Sequence, residues 1–423
     1  MPHPRAALTT TPTLSRRGAT APASPIRRLT PYADAARARG IHVHHLNIGQ
    51  PDLHTVSPMR AAYARFADEV IAYSPSEGYL YYRQALAGYY NGLLDDTIDP
   101  IDPSQILVTV GGSEALLFTI AAACDPGDEI LVAEPYYTNY AGFSHMLGVT
   151  VTPVSTHARE SFAIPVDRVR AAITPKTRAF IVPSPGNPTG MVLSDAELRA
   201  LGQVCVDANI FFVVDEVYRE FVYPEPPVPS DRPLPPAPSV LAIAELAQHA
   251  VMIDSVSKRY SACGARVGCL VTRNQAFYAA CLKFAQARLS PPTVDQFAAA
   301  AALDTPVPEM RAMIDAYRAR RDLIVAGLNL IPGVSCPTPT GAFYLVTDLP
   351  VADAEDFCIF MLRDFDLAGE TIMMAPAEGF YATPGLGRNQ VRIAYVLDPD
   401  KLTRCLEILR AGLDAYARRQ SAS

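Results

Sequence analysis

One stretch near the middle of the chain, residues 254–270, combines charged side chains with small and apolar ones. It reads DSVSKRYSACGARVGCL, so short residues separate Lys258 from Arg266. Burying a charge without a partner costs several kcal/mol, so both cations should meet a ligand. A lysine amine can act as a nucleophile or as a base, and a guanidinium group fits an oxyanion. The stretch therefore indicates a site with reactive and anion-binding groups.

Polar residues also follow three of the apolar runs in the sequence. Gly112 and Ser113 follow the run ILVTV, where a helix N-terminus could approach an anion. Asn187 stands in the turn PSPGNPTG, and Asp215 ends the run IFFVVD, with Tyr218 soon after it. A carboxylate after buried residues is costly unless a cation meets it. Each feature alone also has a simpler interpretation, as a turn or a helix cap.

The elements that position these residues alternate between strand-like and helix-like patterns. Near-continuous apolar runs predict strands buried on both faces, at 106–110, 129–135, 149–154, 178–184, 210–218, 251–257 and 267–272. The segment 194–209 opens on a serine with a glutamate three residues on, which predicts a capped helix. The fold class is thus α/β, with a mostly parallel central sheet and helices on both faces. Ligands bind such sheets at the carboxyl ends of the strands, where the polar residues should converge.

The pattern changes after about residue 291, where helical and short strand-like segments predict a smaller α+β lobe. We predict a large domain over 60–300 and a small domain made of 24–59 and 301–423. Residues 1–30 are rich in Pro, Thr, Ser, Ala and Arg and lack acidic residues, which predicts a disordered extension over residues 1–23. An organelle transit peptide is the alternative interpretation of this composition.

Composition excludes several classes of protein. The chain has 423 residues, 49% of them hydrophobic, and a formal net charge of −7, which does not favour nucleic acid or an anionic membrane as partner. No apolar run approaches the roughly 18 residues of a membrane span. The cysteines lack metal-binding spacing, so we expect no metal site and a cytoplasmic location. The histidines of HVHH, residues 42–45, could suggest a metal, but their apolar flanks favour a strand.

Three motifs, taken together, resemble a known family. SVSKRYSACGARVG is similar to the lysine signature of the class I/II pyridoxal-phosphate aminotransferases, which have fold type I and belong to the aspartate aminotransferase-like superfamily. PSPGNPTG and VVDEVY resemble the other two family motifs, in the same order. The similarity extends from about Ser24 to the C-terminal helix. It implies pyridoxal 5'-phosphate as cofactor and ping-pong transfer of an amino group from an L-amino acid to a 2-oxo acid. The expected donor is aspartate or a broad range of amino acids, and the expected acceptor is 2-oxoglutarate.

The resemblance also implies a role for each motif residue toward the cofactor. Lys258 would form the Schiff base with its aldehyde and then shuttle the proton of the substrate α-carbon. Asp215 would keep the pyridine nitrogen protonated. Asn187 and Tyr218 would hydrogen-bond the phenolic oxygen, and Tyr137, in EPYYTNY, would stack on the ring.

Phosphate contacts and a dimer follow from the same resemblance. Arg266, Ser255 and the turn at Gly112 and Ser113 would bind the phosphate. Tyr73, in AYSPSEGYLYYRQAL, would reach the phosphate of a neighbouring subunit, which implies a homodimer with shared active sites. The alternative is that Tyr73 is a structural residue at the start of a tyrosine-rich helix.

Substrate residues are implied as well, with two departures from the family pattern. Arg392, in VRIAYV, would clamp the substrate α-carboxylate, which Gly49, in LNIGQPD, and Asn187 would also approach. Ser113 stands where one aspartate aminotransferase subgroup has a lysine that binds the distal carboxylate. Arg288 lies near the distal-carboxylate arginine of another subgroup, but the spacing differs, so we expect an exposed helical arginine.

Several alternatives stay open at this point. The sequence does not decide whether Arg288 or Glu114 contacts substrate. The same scaffold also supports carbon–sulfur β-lyases and synthases, because these enzymes share the carbanion intermediate. Some regulators use this domain as a sensor, but they need a DNA-binding module, and the N-terminal segment has no helix-turn-helix pattern.

Overall fold

The computed structural model describes residues 12–226, 228–229 and 232–422. Its α-helices are α1 (Arg16–Thr20), α2 (Thr30–Ala38), α3 (Ser57–Arg65), α4 (Leu80–Asn91), α5 (Gly111–Ala123), α6 (Asn139–Leu147), α7 (Val166–Ala172), α8 (Asp195–Asp207), α9 (Val256–Arg259), α10 (Gln275–Arg288), α11 (Thr293–Ala302), α12 (Val307–Asn329), α13 (Ala354–Arg363) and α14 (Pro399–Ala422). Its strands are β1 (His42–His45), β2 (Ile106–Thr109), β3 (Glu129–Glu134), β4 (Thr150–Ser155), β5 (Thr177–Pro183), β6 (Phe211–Asp215), β7 (Ala250–Ser255), β8 (Gly268–Val271), β9 (Tyr344–Asp348), β10 (Glu370–Met373), β11 (Ala375–Pro376) and β12 (Gln390–Ala394). Short 3₁₀ helices lie at Pro103–Gln105, Ala158–Glu160, Val240–Ala242, Ala244–Leu246 and Glu378–Phe380.

A seven-stranded sheet forms the centre of the described fold, in the order β2-β8-β7-β6-β5-β3-β4. Strands β3 to β7 pair in parallel with their neighbours, whereas β8 runs antiparallel to both β2 and β7. Neighbouring residues of one strand belong to different hydrophobic cores: Val213 lies in the core that includes Leu116 of α5, whereas Val214 lies in the core that includes Leu198 of α8. Both faces are therefore covered by helices, which explains the near-continuous apolar runs. The predicted α/β class with a mostly parallel sheet is confirmed.

The predicted strands and the capped helix lie where the sequence indicated, with ends shifted by a few residues. Ser194 caps α8, because its Oγ accepts a hydrogen bond of 3.2 Å from the Glu197 amide, and Glu197 Oε2 accepts one of 2.8 Å from the Ser194 amide. The run 210–218 forms a strand only as far as Asp215, where the chain leaves the sheet. The sheet therefore delivers a carboxylate at its carboxyl edge.

The remaining strands form two smaller sheets, and one of them joins the N-terminal part of the chain to the C-terminal part. Strand β1, which contains the HVHH sequence, pairs in parallel with β10, and His42 lies opposite Glu370. Strands β11, β12 and β9 form a separate antiparallel sheet. The proposed boundaries near residues 60 and 300 stay a prediction. In the described part of the chain, no helix combines the length and apolar character that crossing a membrane requires.

The N-terminal extension is only partly described. Residues 1–11 of the predicted disordered segment lie outside the described residues. Between residues 12 and 23 the chain contains the short helix α1, capped by Ser15, whose Oγ accepts a 3.1 Å hydrogen bond from the Gly18 amide. Arg17 Nη1 donates a 2.9 Å hydrogen bond to the carbonyl of Met146. The Arg17 contact places α1 against the C-terminal end of α6, and the predicted disordered extension stays a prediction.

Candidate active site

A cavity of about 300 Å³ lies at the carboxyl ends of the parallel strands. Strand β5 leads to Asn187, β6 ends at Asp215, and β7 ends at Ser255, and all three residues line the cavity. Arg266 precedes β8, and an antiparallel strand begins at the edge where its parallel neighbours end. The single reversed strand of the sheet therefore brings Arg266 to the same cavity.

Lys258 lies in the short helix α9, directly after β7, and is half-buried. Its Nζ donates a 2.7 Å hydrogen bond to the carbonyl of Gly49 and lies 3.5 Å from Cys263 Sγ. The helix is fixed by Ser255, whose Oγ accepts a 3.1 Å hydrogen bond from the Ser257 amide. The amine is thus held at the cavity wall by a neutral carbonyl rather than by a carboxylate.

Asp215 is a buried carboxylate, with 5% of its surface exposed. Its Oδ2 accepts a 2.9 Å hydrogen bond from the Tyr140 hydroxyl, and its Oδ1 accepts one of 3.4 Å from the Val217 amide. No lysine or arginine pairs with it within the described residues. Burial raises its pKa to about 6, while the hydrogen bond from Tyr140 opposes this rise. A cationic ligand atom, such as a protonated ring nitrogen, would satisfy this carboxylate.

Arg266 and the start of α5 form an anion site. Arg266 Nη1 donates to the carbonyl of Cys263 at 3.0 Å and Nη2 to that of Val110 at 3.5 Å, and no carboxylate pairs with it in the described ranges. Its φ of 55° is in the left-handed region, an uncommon conformation for a residue with a side chain. Gly268 lets β8 approach α5, because a Cβ there would lie 2.7 Å from the Gly112 amide nitrogen. Amide groups at a helix N-terminus and a guanidinium group together fit a phosphate.

Arg392 lies on β12 with only 1% of its surface exposed. Its Nη1 donates a 3.2 Å hydrogen bond to Asn187 Oδ1, and Nη2 donates to the carbonyl of Asn47. Its Nε is buried without a hydrogen-bond partner, and the guanidinium carbon lies 4.8 Å from the ring centre of Tyr344. Burial lowers the pKa of this guanidinium group. Arg392 pairs with no carboxylate in the part of the chain that the structure describes, and such a buried cation fits an anionic ligand group such as a carboxylate.

Aromatic side chains complete the cavity. The hydroxyl groups of Tyr218 and Tyr344 lie 2.8 Å apart and share a hydrogen bond. Tyr137 accepts a 2.8 Å hydrogen bond from Asn139 Nδ2, and burial raises its pKa to about 12. Burial also raises the pKa of Tyr218, so Tyr137 and Tyr218 stay protonated at neutral pH and can donate hydrogen bonds to a ligand.

The structure brings together eleven of the predicted residues around this cavity: Gly49, Gly112, Ser113, Tyr137, Asn187, Asp215, Tyr218, Ser255, Lys258, Arg266 and Arg392. Tyr73 does not line it and is 79% exposed. The gathered groups fit pyridoxal 5'-phosphate, since they offer an amine for its aldehyde, a carboxylate for its ring nitrogen and an anion site for its phosphate.

Sequence reasoning missed several lining residues. Tyr344 lies in the apolar run GAFYLV, Asn139 follows the predicted ring-stacking tyrosine, and Ser257 is part of the lysine motif. Arg27 lies in SPIRRL, far from the motifs in sequence. Asn139 and Ser257 could have been found by their proximity to motif residues, whereas Tyr344 and Arg27 carry no local signal.

Arg288 is not the exposed helical arginine that the sequence predicted. Its side chain is only 15% exposed, and its Nε lies 3.5 Å from Glu114 Oε1. Its Nη2 also donates a 3.1 Å hydrogen bond to the carbonyl of Ser76. The prediction was wrong because Glu114, on α5, supplies a partner that the local sequence of α10 does not reveal. Neither member of this ion pair lines the cavity.

Comparison with known proteins agrees with this geometry. The model of the family described as aminotransferase class I and II matches residues 41–409. The aspartate/prephenate aminotransferase of Thermus thermophilus is 31% identical over 88% of this chain and 91% of its own length. The arginine–pyruvate transaminase of Pseudomonas aeruginosa is 30% identical over 75% of this chain and 78% of its own.

Solved structures give the same result. The aspartate aminotransferase of Thermus thermophilus with maleate superposes with a TM-score of 0.83 at 28% identity, covering 95% of this chain and 100% of that one. The aspartate aminotransferase of Rhizobium meliloti superposes with a TM-score of 0.84 at 25% identity, covering 96% and 99%. The chain belongs to the class I and II aminotransferases, pyridoxal-phosphate enzymes that transfer an amino group from an amino acid to a 2-oxo acid.

Proposed function

We propose that the chain catalyses ping-pong transamination between an L-amino acid, with aspartate or a broad range of donors, and 2-oxoglutarate. One observation carries the proposal most strongly: Lys258 shares a cavity with the buried carboxylate of Asp215 and the buried guanidinium of Arg392, and neither has a partner of opposite charge among the described residues. Relatives named aspartate aminotransferases, one of them solved with maleate, support a donor with two carboxylates.

The proposed roles follow from the chemistry of each side chain. When bound, pyridoxal phosphate supplies an aldehyde that takes up the amino group and a ring that accepts electrons from the substrate α-carbon. Lys258 moves the proton of that α-carbon, for which its amine must be released from the Gly49 carbonyl. Asp215 holds a proton on the ring nitrogen, and Asn187 and Tyr218 donate hydrogen bonds to the phenolic oxygen.

Binding roles are assigned to the remaining lining residues. Arg266, Ser255 and the α5 residues Gly112 and Ser113 bind the phosphate, and Tyr137 packs on the ring. Arg392 binds the α-carboxylate of either substrate, with Asn187 fixing its guanidinium and Gly49 alongside. Because donor and acceptor share an α-carboxylate, one arginine serves both halves of the reaction.

A homodimer with shared active sites is part of the proposal. Tyr73 lies in an exposed segment that also exposes Val70, Ile71 and Leu80 to solvent in the single chain. An exposed apolar group of this kind is typical of an interface. Mixing a Lys258→Ala chain with a Tyr73→Phe chain tests the idea. Mixed dimers with one intact site should be more active than either variant alone, and equal activity would count against a shared site.

The test of the function is a product assay on the purified protein. We expect the purified protein to show violet absorbance from the bound cofactor. Repeated turnover of amino donors to 2-oxo acids should require 2-oxoglutarate, and Lys258→Ala should show no turnover. A colourless protein unaffected by added cofactor contradicts the assignment. Release of pyruvate and ammonia from cysteine or cystathionine without a 2-oxo acid would instead establish a carbon–sulfur lyase.

A further inference from the structure

Not every cationic side chain around the cavity has a partner once the proposed ligand groups are assigned. Four cationic side chains line the cavity, Arg27, Lys258, Arg266 and Arg392, against a single acidic one, Asp215. The phosphate would bind at Arg266, the ring nitrogen at Asp215 and the α-carboxylate at Arg392, and the Lys258 amine would hold the cofactor aldehyde before substrate binds. Of these four cations, Arg27 alone is left without an assigned partner.

Arg27 differs in this respect from the arginine next to it. Arg28 Nη2 forms an ion pair of 2.5 Å with Glu355, outside the cavity. Arg27 is exposed, lines the cavity, and pairs with no carboxylate in the described part of the chain. Its amide donates a 3.1 Å hydrogen bond to the carbonyl of Ser24, which holds the segment in a turn. Two adjacent arginines therefore face different surroundings, and only one faces the cavity.

The backbone beside Arg27 is tied to the proposed α-carboxylate site. Asn47 Nδ2 donates a 2.9 Å hydrogen bond to the carbonyl of Ile26, and the carbonyl of Asn47 accepts one from Arg392 Nη2. Asn47 is itself buried, with 1% of its surface exposed. Asn47 thus connects the backbone at Ile26, next to Arg27, with the guanidinium of Arg392.

We infer that Arg27 binds the second carboxylate of a dicarboxylic substrate whose α-carboxylate is bound by Arg392. The inference rests on the proposed function and names its substrate class. The two other residues considered for this role do not fit it. Arg288 pairs with Glu114 outside the cavity, and Ser113, which lines the cavity, carries no charge. Because Arg27 is exposed, its side chain can adjust to carboxylates on chains of four or five carbons.

Arg27→Gln tests the inference, with Arg28→Gln as the matched control that loses the same charge outside the cavity. The first half-reaction is followed by the loss of violet absorbance with aspartate and, separately, with asparagine, which has nearly the same shape without the second charge. Loss of a charge-assisted hydrogen bond should slow the aspartate reaction about 10- to 100-fold in Arg27→Gln. The asparagine rate, and both rates in Arg28→Gln, should change by less than about threefold. Arg27→Lys should recover part of the aspartate rate, because it restores the charge.

Binding of maleate gives a second readout that needs no turnover. Its dissociation constant, from the absorbance change of the holoenzyme, should rise by a similar factor in Arg27→Gln only. Equal losses for aspartate and asparagine, an unchanged maleate constant, or the same loss in Arg28→Gln would overturn the inference. If the wild-type holoenzyme consumes no amino acid, the proposed function fails, and the maleate titration still decides whether Arg27 binds a carboxylate.

Discussion

The Tyr140 hydroxyl donates a 2.9 Å hydrogen bond to Oδ2 of Asp215, the carboxylate at the end of β6. This bond lowers the pKa of Asp215, so Tyr140→Phe should raise it further above its ordinary value. We expect the dissociation constant of pyridoxal phosphate to rise about 5- to 10-fold, with a larger effect at pH 6 than at pH 8. Absorbance titration at both pH values measures this. Tyr136→Phe is the control, and a pH-independent effect would argue against this role of Tyr140.

Asp215 should also make the stability of the cofactor-free protein depend on pH. Burial raises its pKa from 3.8 to about 6. The stability that the protonated side chain contributes is therefore fully present below pH 3.8 and is lost as the pH rises through 6. A shift from 3.8 to about 6 corresponds to about 3 kcal/mol of unfolding free energy. Asp215→Asn should remove this loss, so the variant gains stability relative to wild type between pH 4 and 7.

Urea unfolding of the two cofactor-free proteins across this pH range measures the difference. Glu216, whose pKa burial raises to about 7, is present in both proteins, so its titration cancels in the comparison. A difference between the two proteins that stays constant with pH would show that Asp215 is not destabilised by its burial.

Arg392→Lys should weaken the binding of every substrate to a similar extent. A lysine cannot reproduce the planar fork that bonds Asn187 and the Asn47 carbonyl while binding a carboxylate. We expect kcat/KM to fall about 100-fold for amino donors and 2-oxo acids, with or without a second carboxylate. Steady-state kinetics with aspartate and asparagine checks this. A loss confined to aspartate would show that Arg392 binds the second carboxylate of the substrate rather than the α-carboxylate.

Arg288→Met should lower stability without changing substrate choice. It removes the partner of Glu114, which is 14% exposed and whose pKa burial already raises. Leaving that carboxylate unpaired should cost about 1–3 kcal/mol of unfolding free energy. Chemical denaturation measures the cost, and the ratio of the aspartate and asparagine rates should stay constant. A changed ratio of the two rates would indicate that Arg288 contacts the substrate.

The sequence predicted the parts of the site that depend on local pattern. Lys258, Asp215 and Asn187 follow apolar runs, and such runs place the next residue at the carboxyl edge of a parallel sheet. The sheet itself followed from runs long enough to be buried on both faces. Local residue types and the predicted strand ends were therefore enough to place the lysine, the carboxylate and the anion site at one edge of the sheet.

Contacts between distant segments could not be predicted. Tyr344 belongs to an apolar strand, and its place in the site depends on the hydroxyl of Tyr218, which no local pattern reveals. Arg288 was expected to be exposed because helical spacing does not show that Glu114, on another helix, packs against it. Arg27 and Arg28 are adjacent basic residues, and their sequence does not show that Glu355, in a distant segment, pairs with Arg28 alone.

The pairing of β1 with β10 has a consequence for the order of folding. His42 lies opposite Glu370, so Asn47 and Gly49, which follow β1, can take their places only after the chain beyond Glu370 has been synthesised. Strands β2 to β8 are complete by Val271, and they already position Gly112 and Arg266. During synthesis, the part of the cavity around Arg266 can therefore assemble well before the part around Arg392. A nascent chain could then bind an anion before it could bind the carboxylate of a substrate.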